Sequence, residues 1–206
     1  DRLLDGQPIH LANTDPPYNV KVEPRSNNAI AAGLSSFPGT THHQSLDVNR
    51  HPTKAKATHQ KLRAKDRPLA NDFVSDEEFD RLLHAWFGNI ARVLLPGRAL
   101  YCWGGYANCA NYPPVLKACG LYFSQAIIWV KEHPVLTRKD FMGNHEWCFY
   151  CWKEGAAHVF LGPNNAVDVW SVKKIPPQQM EHLTAKPAEL AVRAMQFSSR
   201  PGENVL

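Results

Sequence analysis

From Ser75 onward the chain alternates stretches whose apolar residues recur every three to four positions with short unbroken apolar runs. SDEEFDRLLHAWFGNIARVLLPG begins with Ser75 three residues before Glu78, a capping box. It then sets Phe79, Leu82, Leu83, Trp86, Phe87, Ile90, Val93 and Leu94 on one helical face, until Pro96-Gly97 stops the helix. RALYCWGG reads as a short buried strand. A helix around Pro113 to Ala118 follows, ended by Gly120, and then the strand YFSQAIIWVKE. Glu146 to Trp152 predicts a further strand and VDVWSV another. KPAELAVRAMQF predicts a helix with Ala188, Ala191, Val192 and Met195 at helical spacing. Strands alternating with helices imply an α/β layer with a largely parallel sheet, in which IIWVKE and HEWCFYCWKE are an alternative antiparallel pair at one edge.

The pattern lapses between Asn19 and Pro68. This stretch has no sustained apolar period, is rich in Ser, Thr, Asn, Pro and Gly, and is long for a loop inside a compact domain. It also concentrates charge. Nine basic residues, Lys21, Arg25, Arg50, Lys54, Lys56, Lys61, Arg63, Lys65 and Arg67, face three acids, an excess of +6, while the rest of the chain sums to −2. With His42, His43, His51 and His59 nearby, this is the footprint expected of a surface for a polyanion. By composition alone, a solvated insertion whose charge only keeps it in water fits equally.

A length of 206 residues suits one domain with a substantial core, and 44% hydrophobic residues with 10% aromatics describe a globular chain. No apolar run approaches the ~20 residues of a membrane span, and DRLLDGQPIH lacks the basic-then-apolar plan of a signal peptide. The expectation is a soluble, cytoplasmic protein with no membrane partner. Cys102, Cys109, Cys119, Cys148 and Cys151 are an odd number in apolar surroundings, as suits buried thiols better than a disulfide framework. Cys148 and Cys151 sit three apart in a predicted strand, and so on opposite faces. No second Cys pair completes a zinc site, so no metal is expected.

After the apolar PIHLA comes TDPPYNV, an acid, two prolines and a phenol in a row. Pro16 and Pro17 cannot donate to a sheet ladder and hold Asp15 and Tyr18 on a stiff corner rich in carbonyl acceptors. An ordinary strand-ending turn has the same Asp-Pro chemistry. In an open α/β sheet, however, ligands sit beyond the carboxyl ends of the strands, which is where PIHLANTDPPYNV would put Asp15.

DPPY at a strand end, LLPGRALYCWGG, IIWVKEHP followed by NHEWCFYCWKE, and HLTAKPAELAVRAM, in that order, resemble the S-adenosylmethionine-dependent amino-methyltransferases of DNA. The order is similar to the permuted subgroup in which the catalytic half precedes the cofactor half. The resemblance covers nearly the whole chain apart from the basic insertion. It implies a Rossmann-like methyltransferase sheet, mostly parallel with an antiparallel edge strand, in a single domain spanning 1–206, with residues 19–74 as a basic insertion or loop. It also implies DNA methylation of the restriction-modification kind, in a bacterial, archaeal or phage setting. In that family the late helix is followed by a strand and a glycine-rich F-x-G-x-G turn that holds the cofactor's methionine moiety, whereas this chain stops at ENVL. A fragment lacking that turn is therefore expected, with a further domain in the full-length chain as a candidate partner.

The chemistry implied for the corner is specific. An exocyclic amine of adenine or cytosine has its lone pair delocalised into the ring, so it is a poor nucleophile. The Asp15 carboxylate and the Pro16 carbonyl can each accept one of its N–H bonds, favouring a pyramidal nitrogen, while Tyr18, held by Pro17, stacks on a base flipped out of the duplex. The resemblance assigns the cofactor's neighbourhood to Thr14 and Asp15 and to His182, Thr184, Lys186 and Pro187 at the start of the late helix, where an ammonium and a helix N-terminus suit a carboxylate. Without it, Thr184 reads as a helix cap and Lys186 as solvated. Phe149, Trp152 and Trp129 read as core aromatics. The interval from about Glu154 to Glu181 is short and carries little basic charge. Arg50, Lys54, Lys56, Lys61 and Arg63 of the insertion are therefore the expected DNA-binding residues. Aspartate at the first position favours adenine N6 over cytosine N4, both of which need the same acceptors. It also argues against the Asn-Pro-Pro-Tyr corner of glutamine-directed enzymes. The intact Asp15 and Tyr18 argue against a degenerate nucleic-acid-binding module on the same scaffold.

Overall fold

The structure is a computed structural model and describes residues 4–19, 32–33, 73–135, 140–176, 179 and 185–206. Contacts divide the chain into two units, one of Asp1–Tyr18, Val74–Lys174 and Lys186–Leu206, the other of Asn19–Phe73 and Ile175–Ala185. The first unit carries every element described below. Among the described residues, no helix is long and apolar enough to cross a membrane.

In chain order the elements are β1 (Ile9–Thr14), α1 (Asp76–Val93), β2 (Leu94–Gly104), a 3₁₀ turn at Tyr106–Asn108, α2 (Tyr112–Ala118), β3 (Leu121–Val135), β4 (Gly143–Lys153), β5 (Val169–Ser171) and α3 (Ala188–Ser198). They form a five-stranded sheet in the order β1-β2-β4-β3-β5. β1 and β2 pair in parallel, as do β3 and β5, and β4 runs antiparallel to both β2 and β3. The mixed α/β sheet is as expected. Its antiparallel strand differs in placement: β4 lies inside the sheet, between β2 and β3, and the short β5 takes the edge. The cause lies in β4 itself, which is apolar on both sides and needs cover from both. At the other edge Val205 bridges β1 in parallel, with His10 N donating to Asn204 O and Leu206 N donating to Leu11 O.

Alternation along β2 distributes the core. Leu100 and Cys102 point to one face, packing with Phe79, Leu83 and Phe87 of α1 and with Tyr112, Val115 and Leu116 of α2. Ala99, Tyr101 and Trp103 point to the other face, with Leu190 and Ala194 of α3, Trp129 and Trp170. Cys148 and Cys151 fall into these two opposite clusters, as their spacing predicts. Cys109, by contrast, is exposed rather than buried.

Ser75 caps α1, accepting from Glu78 N at 3.2 Å, and Gly120, with φ of +72°, ends α2. Two boundaries differ from the pattern. The helix gives way directly to β2 at Leu94, so Pro96 and Gly97 lie inside the strand, where the register of β1 on β2 slips between Ile9 and Leu11. In α3 the buried stripe is Leu190, Ala194 and Ser198, and Val192 is exposed, because the helix turns its Leu190 side to the sheet. Arg98, also buried, fastens β1 to the chain's end. Its Nε donates to His10 O at 2.8 Å, and its guanidinium pairs with Glu203.

Candidate active site

Four strands bring their chemistry to one end of the sheet. β1 and β2 are parallel, with Thr14 opposite Cys102, so Asp15 and Gly105 both lie just beyond carboxyl ends. β4 runs the other way, and its Glu146 and Trp147 arrive at that same end, Trp147 opposite Gly104. Trp129 of β3 pairs with Glu146, and two residues on, Lys131 shares its side of the strand. Gly104 is required here: a Cβ would lie 2.8 Å from the Tyr112 ring and 2.9 Å from that of Phe149.

Hydrogen bonds hold the diproline corner on both sides. Pro16 is buried and Asp15 exposed. The Tyr18 phenol donates to Asp15 Oδ1 at 2.9 Å, and Tyr18's carbonyl accepts from Asn108 Nδ2 at 3.1 Å. Asn108 Oδ1 in turn accepts from Gly105 N at 2.9 Å, so the loop after β2 grips the corner. Trp103 Nε1 donates to Asn13 Oδ1 at 3.0 Å and fixes the floor beneath it.

Lys186 is not solvated. Only 11% of its side chain is exposed, and its ammonium donates to Asp15 Oδ1 at 2.7 Å and to the Tyr18 hydroxyl at 2.6 Å. It also lies 3.3 Å from Glu146 Oε2 and 5.0 Å from the Tyr18 ring centre. The other oxygen of Glu146 accepts from Lys131, whose ammonium sits 4.9 Å from the Trp129 ring centre. Two carboxylates and two ammonium groups thus share the corner. Burial would push the Glu146 carboxyl up, but the Lys186 and Lys131 ammonium groups outweigh it and hold the pKa below the usual glutamate range. The Tyr18 phenol is pushed far up, first by burial and then by the Asp15 and Glu146 charges, so it acts as a neutral donor and ring.

Of the residues expected from sequence, Thr14, Asp15, Pro16, Pro17, Tyr18, Lys186 and Pro187 are described. Asp15, Tyr18 and Lys186 meet directly. His182, Thr184, Arg50, Lys54, Lys56, Lys61 and Arg63 lie outside the described residues. Pro187 caps α3 without a side-chain hydrogen bond. Glu146, Lys131, Trp103, Asn13 and Asn108 were not singled out from sequence. The signal available was a lysine inside the apolar run IIWVKE and an acid heading WCFYC, since buried charge in an apolar strand needs a partner. Burial raises the Cys102 and Cys148 thiols well above their usual range, so neither offers a thiolate nucleophile. Among the described residues, no group of three or more metal-ligating side chains occurs.

A family model described as DNA methylase, for the N6 and N4 enzymes, matches residues 9–206. The crystal structure of an M1.HpyAVI–SAM complex superposes with a TM-score of 0.57 at 16% identity, covering 98% of this chain and 73% of that one. A second crystal structure, of M1.HpyAVI, gives 0.56 at 13% identity, covering 98% and 71%. At these identities the two structures share the fold. The family match over nearly the full length shows that the chain belongs to the N6/N4 DNA methylase family.

Proposed function

We propose that this protein transfers a methyl group from S-adenosylmethionine to the exocyclic N6 of adenine in DNA. The observation that carries the reading is the rigid Asp15-Pro16-Pro17-Tyr18 corner, set beyond the carboxyl end of β1 in a chain of this family. Asp15 and the Pro16 carbonyl accept the two N–H bonds of the target amine and leave its lone pair pointing away from both. S-adenosylmethionine, when bound, supplies a sulfonium methyl whose C–S electron pair stays on sulfur as the new N–C bond forms. Asp15 is placed to take one proton from the nitrogen as it gains positive charge, so the product leaves as a neutral secondary amine. Tyr18 supplies the face on which the flipped base stacks.

The donor set suits the cofactor. Lys186, whose ammonium is engaged by Asp15 and Glu146, leads into an 11-residue helix whose N-terminus has no side-chain cap hydrogen bond, and that helix end is the part favourable to a carboxylate. Thr14, Asp15, His182, Thr184 and Pro187 complete the proposed cofactor neighbourhood. The basic insertion within residues 19–74 of a single methyltransferase domain grips DNA through Arg50, Lys54, Lys56, Lys61 and Arg63, in a cytoplasmic setting. Incubating the protein with isotopically labelled S-adenosylmethionine and DNA, then digesting to nucleosides for mass spectrometry, tests the reading. Label in N6-methyladenine supports it. Label in N4-methylcytosine would move the target to the other base of the family, and unlabelled DNA would overturn the activity.

A further inference from the structure

We propose that Glu146 is a positioning residue for this reaction, acting as the alternative anchor to which Lys186 swings when the target amine takes Asp15. The inference rests on the function proposed above and concerns a residue outside the DPPY corner. Lys186 donates to Asp15 Oδ1 at 2.7 Å, beside the Tyr18 hydroxyl on the same oxygen, and its ammonium there draws on the charge that Asp15 would offer the target N–H. An ammonium held there also opposes the positive charge that nitrogen acquires as it is methylated. With Lys186 drawn off Asp15, the amine meets a stronger acceptor and no opposing charge.

Glu146 is built to receive it. Its Oε2 is already 3.3 Å from the Lys186 ammonium, so the exchange needs a small rotation and no fresh desolvation. Its Oε1 is held by Lys131, which is itself buried against Trp129, and its backbone is locked in β4 between β2 and β3. Tyr18 senses both positions, since its hydroxyl lies 2.9 Å from Asp15 Oδ1 and 3.5 Å from Glu146 Oε2. With Lys186 on Glu146, Asp15 faces the amine with its full charge.

A double-mutant cycle tests this. Glu146→Gln keeps an acceptor for Lys131 but removes the charge that draws Lys186 away. Lys186→Met removes the competitor for Asp15. Both are measured alone and together, in single-turnover methylation at saturating cofactor and in the dissociation constant for DNA carrying the target base, a readout that holds for a variant too slow to time. Glu146→Gln alone is expected to lower rate or affinity about ten- to a hundredfold, the range of one charge-assisted hydrogen bond, and to cost nothing further in the Lys186→Met background. An equal loss in both backgrounds would make Glu146 a mere structural partner of Lys131 and overturn the proposal, as would an undiminished Glu146→Gln. Absence of methyl transfer by the unaltered protein would instead strike at the activity, which the cycle in DNA affinity leaves separately readable.

Discussion

The ammonium of Lys186 stands 2.7 Å from Asp15 Oδ1, although 171 positions separate the two residues in sequence. The pair closes one end of the sheet, tying the loop after β1 to the residue that leads into α3. It balances the charge of the carboxylate proposed to act on the target amine. Glu146 and Lys131 extend the pair into a four-charge group.

The Glu146 pKa is lower in the folded protein than its ordinary value of 4.5, so its interactions contribute stability that is fully present above about pH 4.5 and is lost as pH falls through the depressed value. The groups facing it are Lys131, Lys186 and Tyr18. Melting temperatures measured from pH 6 down to roughly pH 3 should fall less steeply for Glu146→Gln than for the unaltered protein. Parallel curves would mean that the group is not ionised and paired as described.

Arg98→Met is predicted to destabilise the fold by about 3 kcal/mol, the lower part of the range for stripping one partner from a buried ion pair, because Glu203 retains some solvent. The guanidinium also serves the carbonyls of His10 and Ser198, so β1 and the end of α3 lose a shared clamp. Denaturant unfolding checks this, and a change below ~0.5 kcal/mol would contradict it.

Much of this architecture is legible locally. Ser75 and Glu78 announce α1, Gly120 ends α2, and the diproline marks the end of β1, because caps, left-handed glycines and prolines act within a few residues. The partners of the corner are not local. Glu146 meets Lys131 through the antiparallel register of β4 on β3, and Lys186 meets Asp15 across the fold. No spacing in the chain encodes either pairing. The buried side of α3 was misplaced for a related reason: with Ala188, Leu190, Ala191, Val192, Ala194 and Met195 all apolar, the packing partners choose the face.

Tyr18→Ala should slow methylation of a properly paired target about 5- to 100-fold, since stacking one base on an aromatic ring is worth ~1–3 kcal/mol. The loss should shrink when the target base is mismatched, because less unpairing cost then has to be offset. Tyr18→Phe keeps the ring while removing the hydroxyl that bridges Asp15 and Lys186. It should therefore resemble the unaltered protein in its preference for mismatched targets. Equal losses for paired and mismatched DNA in Tyr18→Ala would remove the stacking role.

Replacing Arg50, Lys54, Lys56, Lys61 and Arg63 by alanine should flatten the dependence of log affinity on log salt by roughly 3 to 5 units, since each phosphate no longer neutralised by a basic side chain removes close to one. Specific and non-specific DNA should be affected alike. An unchanged slope would reassign the basic segment to solubility and send the search for the DNA surface elsewhere.

The central claim, that Asp15 acts on the target amine, is tested most directly by timing N6-methyladenine formation in Asp15→Ala by mass spectrometry, alongside its DNA affinity and melting temperature. Asp15 is exposed and outside both core clusters, so the fold should persist, and DNA affinity should fall far less than the methylation rate. The methylation rate should fall at least about a hundredfold, as for loss of a group that stabilises charge at a reacting centre. Methylation of adenine at the unaltered rate by Asp15→Ala would contradict the account.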